Sequence, residues 1–226
     1  MRALTILIPA LDEEQKVAPT VEEVLAAGRR LLDRFEVIVV DDGSRDRTGE
    51  IADALAKSNP EVRVIHNPER RGVGWAFWEG IAQAKFDRLT VVPGDHAYNI
   101  SGIERLFSAV GSADLVISYR TNQADTRQRR RVILSTLYQR LVGLIFGFRL
   151  KDFHSTVVYP VPQIREMGMR SVGYTYQLEV LVKLLRRGMS YVEVPVTLNP
   201  SGKGTSAALR PKTFFDVLWA IWRLMR

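Results

Sequence analysis

The chain has 226 residues, with 32 Lys and Arg against 25 Asp and Glu for a formal charge of +7, and no cysteine. That length suits one domain with a sizeable core, and the ordinary composition argues against disorder. The absence of Cys excludes disulfides and thiolate metal centres and suits the cytosol. The positive balance points to an anionic partner, phosphates or an acidic bilayer surface; no helix-turn-helix, zinc-finger or RNA-binding signature speaks for nucleic acid. Met1-Arg2 runs straight into Leu4–Pro9 without a signal-peptide pattern, and no stretch of about 18 apolar residues predicts a membrane span.

In chain order, Leu4–Pro9 reads as a first strand, followed by an acidic loop and a helix over Val17–Leu32. Val37–Val40 is a run of four β-branched residues, the pattern of a strand buried on both faces of a parallel sheet. It runs into Asp41 and Asp42 before Gly43 and Ser44 break it, and Thr48 is read as the N-cap of a helix to Lys57. Carboxylates at the carboxyl end of a parallel strand stand where open α/β sheets take their ligands; a solvated turn that merely bends the backbone has the same sequence. Val62–Ile65 is a third strand, Gly72–Ala84 a third helix and Leu89–Val92 a fourth strand. Gly72 and Gly74 allow a phosphate close to a helix N-terminus or, equally, close helix packing. A helix over Asn99–Val110, strands over Asp114–Tyr119 and Val157–Tyr159, a helix to Arg187 capped by Gly188, and a strand over Val192–Val196 complete the pattern. The alternation predicts an α/β fold with a mostly parallel central sheet and flanking helices.

Val40-Asp41-Asp42-Gly43-Ser44, with Asp46 and Thr48, resembles the nucleotide-binding signature of inverting family-2 glycosyltransferases of the GT-A fold. Leu7–Glu14, with Asp12 where Asn is usual, resembles their first strand and Pro-x-x-Asn-Glu turn. Asn67, Arg71–Ala76 and Gly80 resemble their Asn…Gly-x-Gly-x-Ala…Gly segment. Within that family the likeness is to dolichyl- and polyprenyl-phosphate sugar synthases, and it covers nearly the whole chain. It implies a single GT-A-like domain over residues 1–210 and a nucleotide-sugar donor held by Pro9, Glu13, Asp41, Asp42, Gly72 and Gly74. It further implies a polyprenyl- or dolichyl-phosphate acceptor and transfer with inversion.

The family's Asp-x-Asp, two carboxylates that hold a divalent cation against the donor pyrophosphate, stands here as Pro93-Gly94-Asp95. Mg2+ or Mn2+ would then fall to Asp95 and His96, with donor phosphates completing the shell; the opposing reading has basic side chains in the cation's place. Ser118-Tyr119-Arg120 resembles the synthases' Gly-Thr-Arg, and Arg131–Ser135 their Arg-Lys-x-x-Ser, which assigns phosphates to Arg120, Arg131 and Ser135. Lys151–Thr156 resembles their Asp-x-x-(Ser/Gly) segment, with Asp152 on the acceptor side, and Gly173–Glu179 their Gly-Tyr-x-Phe-Gln-x-Glu. A lipid phosphate is already an anionic nucleophile and needs no general base, so Gln177 and Glu179 read as positioning residues. The Gly-rich loop around Lys203 stands where the synthases carry an acceptor loop.

Val132–Phe148 and residues 211–226, the latter with Trp219, Trp222 and Arg223, are apolar and too short to span a bilayer. Each reads either as a helix at the membrane surface or as core. The surface reading makes the protein cytoplasmic and peripherally attached to the inner face of the cell membrane; a homo-oligomer is left open. Two alternatives stand beside this one. One is transfer to a hydroxyl of a glycan or lipid, with Glu179 or Asp152 as base; the other is a non-catalytic nucleotide-sugar binder, motivated by Pro93. Asp42→Ala is expected to abolish donor binding with the fold intact.

Overall fold

The structure, a computed structural model, describes residues 1–122, 129–168, 173, 175–199 and 219–225, with backbone alone in 129–134. Its strands are β1 (Ala3–Ala10), β2 (Arg34–Asp41), β3 (Val62–His66), β4 (Arg88–Val91), β5 (Leu115–Arg120), β6 (Val157–Pro160) and β7 (Tyr191–Val196). They form one sheet in the order β3-β2-β1-β4-β6-β5-β7. Its helices are α1 (Val17–Leu31), α2 (Thr48–Ser58), α3 (Val73–Gln83), α4 (Ile100–Ser108), α5 (Arg129–Phe146), α6 (Val161–Met167) and α7 (Tyr176–Arg186). Residues 219–225 are also helical.

The period of two in the strands divides the core. Leu7, Ile38 and Val40 point to one face, where they pack with Phe77 of α3, Val142 of α5, Leu181 of α7 and Ile221. Ile6, Ile8, Val37 and Val39 point to the other, against Val21 of α1, Ala52 of α2 and Phe107 of α4. Apolar residues on both sides of a strand are what a sheet covered by helices on both faces requires. The result is the expected single α/β domain with a mostly parallel sheet.

β6 is the exception in direction: it runs antiparallel to β4 and β5, while the other pairs are parallel. Its amino end therefore lies at the edge where β1, β2, β4, β5 and β7 finish. One reversed strand brings residues 152–156 to the same edge as Asp41, Asp95 and Arg120. Two local expectations are corrected. Thr48 is the first residue of α2 rather than its N-cap, because its hydroxyl accepts a hydrogen bond from the Glu13 N–H (2.8 Å) instead of capping its own helix. Gly72 stands just before α3 at φ 92°, where a side chain would be strained, so the helix begins at Val73.

Candidate active site

Two loops zipped together form the floor at the ends of β1 and β2. The Asp12 N–H donates to Ser44 Oγ (3.1 Å), and Asp12 Oδ1 accepts from the Arg45 N–H (2.8 Å). Asp12 holds a left-handed φ of 55°, tolerable for Asp because a short polar side chain can bond locally. Asp46 Oδ2 accepts from the Glu14 N–H (3.1 Å) and its Oδ1 from the Thr48 N–H (2.9 Å). Against the cost of burial, hydrogen bonds from Thr48 and Glu14 lower the Asp46 carboxyl below its usual range. Glu13 has two further ties: its carbonyl accepts from Lys16 and Val17 at the start of α1, and its carboxylate pairs with Lys16.

Asp41 and Asp42 are both buried in this floor. Asp42 Oδ1 accepts from Asn67 Nδ2 (3.0 Å) and the Arg71 N–H (2.8 Å), and Oδ2 from the Gly72 N–H (2.8 Å). Asp41 Oδ1 accepts from the Ser44 N–H (3.0 Å), and its Oδ2 lies 3.0 Å from His66 Nδ1. The motif acids thus hold together the loops at the ends of β1 and β2. The Gly72 N–H, read from sequence as open to a phosphate, is already bonded to Asp42, and Gly74 is buried within α3.

β4 exits beside β1. The Gly94 N–H donates to the Pro9 carbonyl (3.0 Å), and a Cβ on Gly94 would stand 3.0 Å from Ala10 Cβ and 3.1 Å from that carbonyl. Any side chain there would have to push the Pro9–Ala10 backbone aside, so glycine eases the close passage of Pro93-Gly94-Asp95. Asp95 emerges exposed, with one oxygen accepting from the Ala97 N–H (3.1 Å). His96 does not join it: its Nε2 faces Glu23 of α1 at 3.2 Å. Among the described residues no three His, Cys, Asp or Glu side chains gather as a metal site. Asp95 can supply one hard oxygen ligand, and a cation there would need the others from a bound diphosphate.

Across the same edge, Arg120 grips Asp152 from two nitrogens, Nε to Oδ2 at 2.7 Å and one Nη to Oδ1 at 2.9 Å. The pair is nearly out of water, at 10% and 1% side-chain exposure, so its two charges depend on one another. Gln139 of α5 donates to Asp152 (3.1 Å) and accepts from the Phe153 N–H (2.8 Å), tying the helix to the loop. His154 stacks on Tyr138, with Nε2 2.9 Å from the phenol oxygen. Desolvation lowers its imidazole to about 4, against the pull of Asp152.

Above Arg120 opens a cavity of about 900 Å³ between the end of β5, α5 and residues 147–151. Arg120, Arg140, Arg149 and Lys151 line it together with Ser135, Leu144, Phe148 and Leu150, and no carboxylate appears among the described residues that line it. Arg120 and Ser135 both line it. Arg140 and Arg149 belong to no motif; Arg140 interrupts the apolar run Val132–Phe148 and Arg149 follows it. The Arg131 side chain and Lys203 lie outside the described residues. The segment that leads toward Lys203 is rooted beside Asp95, since Asn199 Nδ2 donates to the carbonyls of His96 (3.0 Å) and Tyr98 (3.2 Å).

Gln177 and Glu179 part company. Gln177 donates to the Ser155 carbonyl, bracing the Ser118–Ser155 hydroxyl pair (2.6 Å) at the ends of β5 and β6. Glu179 is buried in ion pairs with Lys183 and with Arg223 of 219–225. Its geometry anchors the C-terminal helix; no contact carries it to the cavity.

Residues 5–164 match the profile of Glycosyl transferase family 2. The chain belongs to this family, and its fold is that of the GT-A glycosyltransferases. It is 30% identical over 210 residues to the undecaprenyl-phosphate mannosyltransferase of Micrococcus luteus, covering 87% of this chain and 83% of that one. It is 28% identical to the polyprenol monophosphomannose synthase of Mycolicibacterium smegmatis, covering 96% and 86%. Among solved structures it superposes on glucosyl-3-phosphoglycerate synthase from Mycobacterium tuberculosis in complex with Mn2+, UDP and phosphoglyceric acid, with TM-score 0.71 and 19% identity over 99% of this chain and 78% of that one. The protein is a glycosyltransferase.

Proposed function

We propose that the protein moves a sugar, with inversion, from a nucleotide-sugar donor to a polyprenyl phosphate at the inner face of the cell membrane. The observation that carries this reading is the cavity, whose described lining combines Arg120, Arg140, Arg149 and Lys151 with Leu144, Phe148 and Leu150 and holds no carboxylate. That composition fits a ligand with an anionic head and an apolar chain. An acceptor hydroxyl would need a base, and the two candidates are held in ion pairs, Asp152 with Arg120 at the cavity wall and Glu179 with Lys183 and Arg223. The relatives named for polyprenyl-phosphate substrates support the same choice.

The donor would lie along the floor of residues 9–13 and 41–44, with its diphosphate toward Asp95. A lipid-phosphate oxygen attacks the sugar's anomeric carbon on the face opposite the diphosphate. The new C–O bond forms as the bond to the leaving nucleoside diphosphate breaks, and the configuration inverts. This chain's residues contribute position and charge: loop hydrogen bonds fix the donor, and Arg140, Arg149 and Lys151 draw in the acceptor phosphate. A divalent cation, as in the manganese complex of the structural neighbour, would offset charge on the leaving group, with Asp95 as this chain's ligand.

Two stripes suit a bilayer surface. Leu137, Leu141 and Leu144 of α5 are 63%, 45% and 83% exposed, and Trp219, Trp222 and Met225 are 58%, 44% and 54% exposed. Both helices bury their opposite sides, Val142 and Phe146 in one and Ile221 and Leu224 in the other. Arg186 links them, donating to the Leu224 carbonyl and lying over the Phe146 ring (5.2 Å). No helix of the described residues is long and apolar enough to cross a membrane. Leu144 belongs both to the cavity wall and to the exposed stripe, so the cavity mouth adjoins the face that would meet lipid. Incubation with radiolabelled nucleotide sugars and either undecaprenyl phosphate or undecaprenol tests the reading. Label should enter the organic phase with the phosphate alone, and equal labelling of the alcohol would overturn the choice of acceptor.

A further inference from the structure

His66 ends β3 directly opposite Asp41 in the sheet register. Its Nδ1 lies 3.0 Å from Asp41 Oδ2 and its Nε2 3.0 Å from Asp53 Oδ1 of α2. An ionised carboxylate only accepts hydrogen bonds, and neutral imidazole has one N–H to give. Both contacts are made at once only when both ring nitrogens carry protons. The packing leaves little freedom to rearrange: a Cβ on Gly49, in the first turn of α2, would stand 2.6 Å from Asp41 Oδ2 and 3.3 Å from the His66 ring.

The neighbouring Asp42 is held by an amide and two backbone N–H groups, none of them charged. Two adjacent carboxylates in the floor proposed for the donor repel its anionic diphosphate unless a cation offsets them. We propose that His66 is a positioning residue of the donor site: as an imidazolium it neutralises Asp41, fixes its carboxylate against α2, and makes donor affinity fall as pH rises through its own titration. This rests on the nucleotide-sugar reading of the floor. Asp41 and Asp53 are the titratable groups that face the ring. On its own strand, Arg63 turns instead to Glu36 and Gln83. Hydrogen bonds from Asp41 and then Asp53 raise the imidazole above its ordinary range, with burial opposing them. The raised direction sets the sign: the charged form is present at low pH and lost on going alkaline.

The test is calorimetric binding of UDP-glucose and GDP-mannose between pH 6 and 8 to the full chain, since both the diphosphate diester and the base keep constant charge over that range. Affinity of the wild type for whichever sugar nucleotide binds should weaken by about threefold across the titration, the size of a half-exposed charge contact. His66→Gln should bind weakly and without that slope. Asp53→Asn, which removes an exposed carboxylate and leaves Asp41 in place, should keep the slope but move it to lower pH. Melting curves at each pH confirm that the variants are folded. An unchanged slope in His66→Gln, or no movement in Asp53→Asn, would overturn the proposal while leaving the nucleotide site standing. Failure of the wild type to bind any sugar nucleotide would overturn both.

Discussion

The two halves of the site are built by opposite means. At the floor proposed for the donor, short acidic side chains accept from backbone N–H groups at fixed distances, so Asp12, Asp41, Asp42 and Asp46 act as pins between loops. At the cavity proposed for the acceptor, exposed Arg140, Arg149 and Lys151 stand on α5 and the loop after it, beside apolar residues. The first arrangement is pre-organised and little affected by salt. The second gains from long-range attraction and weakens as salt rises. A soluble nucleotide must be held in one pose; a lipid phosphate has to be drawn from a surface.

If the comparison holds, the largest effect should come where a buried charge loses its partner. Arg120→Ala leaves Asp152 ionised in a nearly dry site, and a loss of about 3–5 kcal/mol in urea unfolding is expected. The double variant Arg120→Met with Asp152→Leu should recover most of that stability but not transferase activity. Recovery of activity would make the pair a structural strut only.

Asp42→Ala comes next. It strands the Asn67 amide and the Arg71 and Gly72 N–H groups, so about 2–3 kcal/mol of stability should go together with donor affinity. The sequence-based expectation of lost binding with an intact fold is thereby modified. A variant that bound donor normally would break the picture of a pinned floor.

Glu179→Gln should loosen the C-terminal helix by about 1–2 kcal/mol, seen as faster proteolysis within 219–225. Activity on lipid acceptor should fall further than donor affinity does. Equal losses would argue that the helix serves the whole fold.

His154 gives a pH signature. Its imidazole is lowered to about 4 from 6.5, so the unfolded chain takes up a proton that the folded one refuses. Stability attached to it is present at neutral pH and is lost as pH falls from about 6.5 toward 4. Denaturation at pH 7 and pH 5 should show a smaller acid loss in His154→Phe than in the wild type.

The smallest effect on stability, within about 0.5 kcal/mol, is expected for Leu144→Glu on the exposed stripe. Co-sedimentation with anionic vesicles should nonetheless drop, along with turnover of lipid acceptor, while calorimetric donor affinity stays unchanged. A variant that still sediments fully would remove Leu144 from the membrane contact.

Sequence alone determined the α/β class and most element positions, because strands buried on both faces and helices with one apolar stripe leave different periods in the chain. It also marked the acids that pin the loops at the ends of β1 and β2, since Asp41, Asp42, Asp46 and Asn67 act through short, local geometry that a motif preserves. What the chain could not tell is which partner each charged group takes across the sheet. Glu179 reads as a site residue and anchors a helix 44 positions away. His96 reads as a metal ligand and faces α1. His66 falls at a strand end with no motif to mark it, and gains its role only because β3 pairs with β2. Arg140 and Arg149 become a site wall only when β6 turns back and brings residues 152–156 beneath α5. Those outcomes depend on register, strand direction and the desolvation of paired charges, all properties of contacts between distant segments, and such contacts exist only once the tertiary structure has formed.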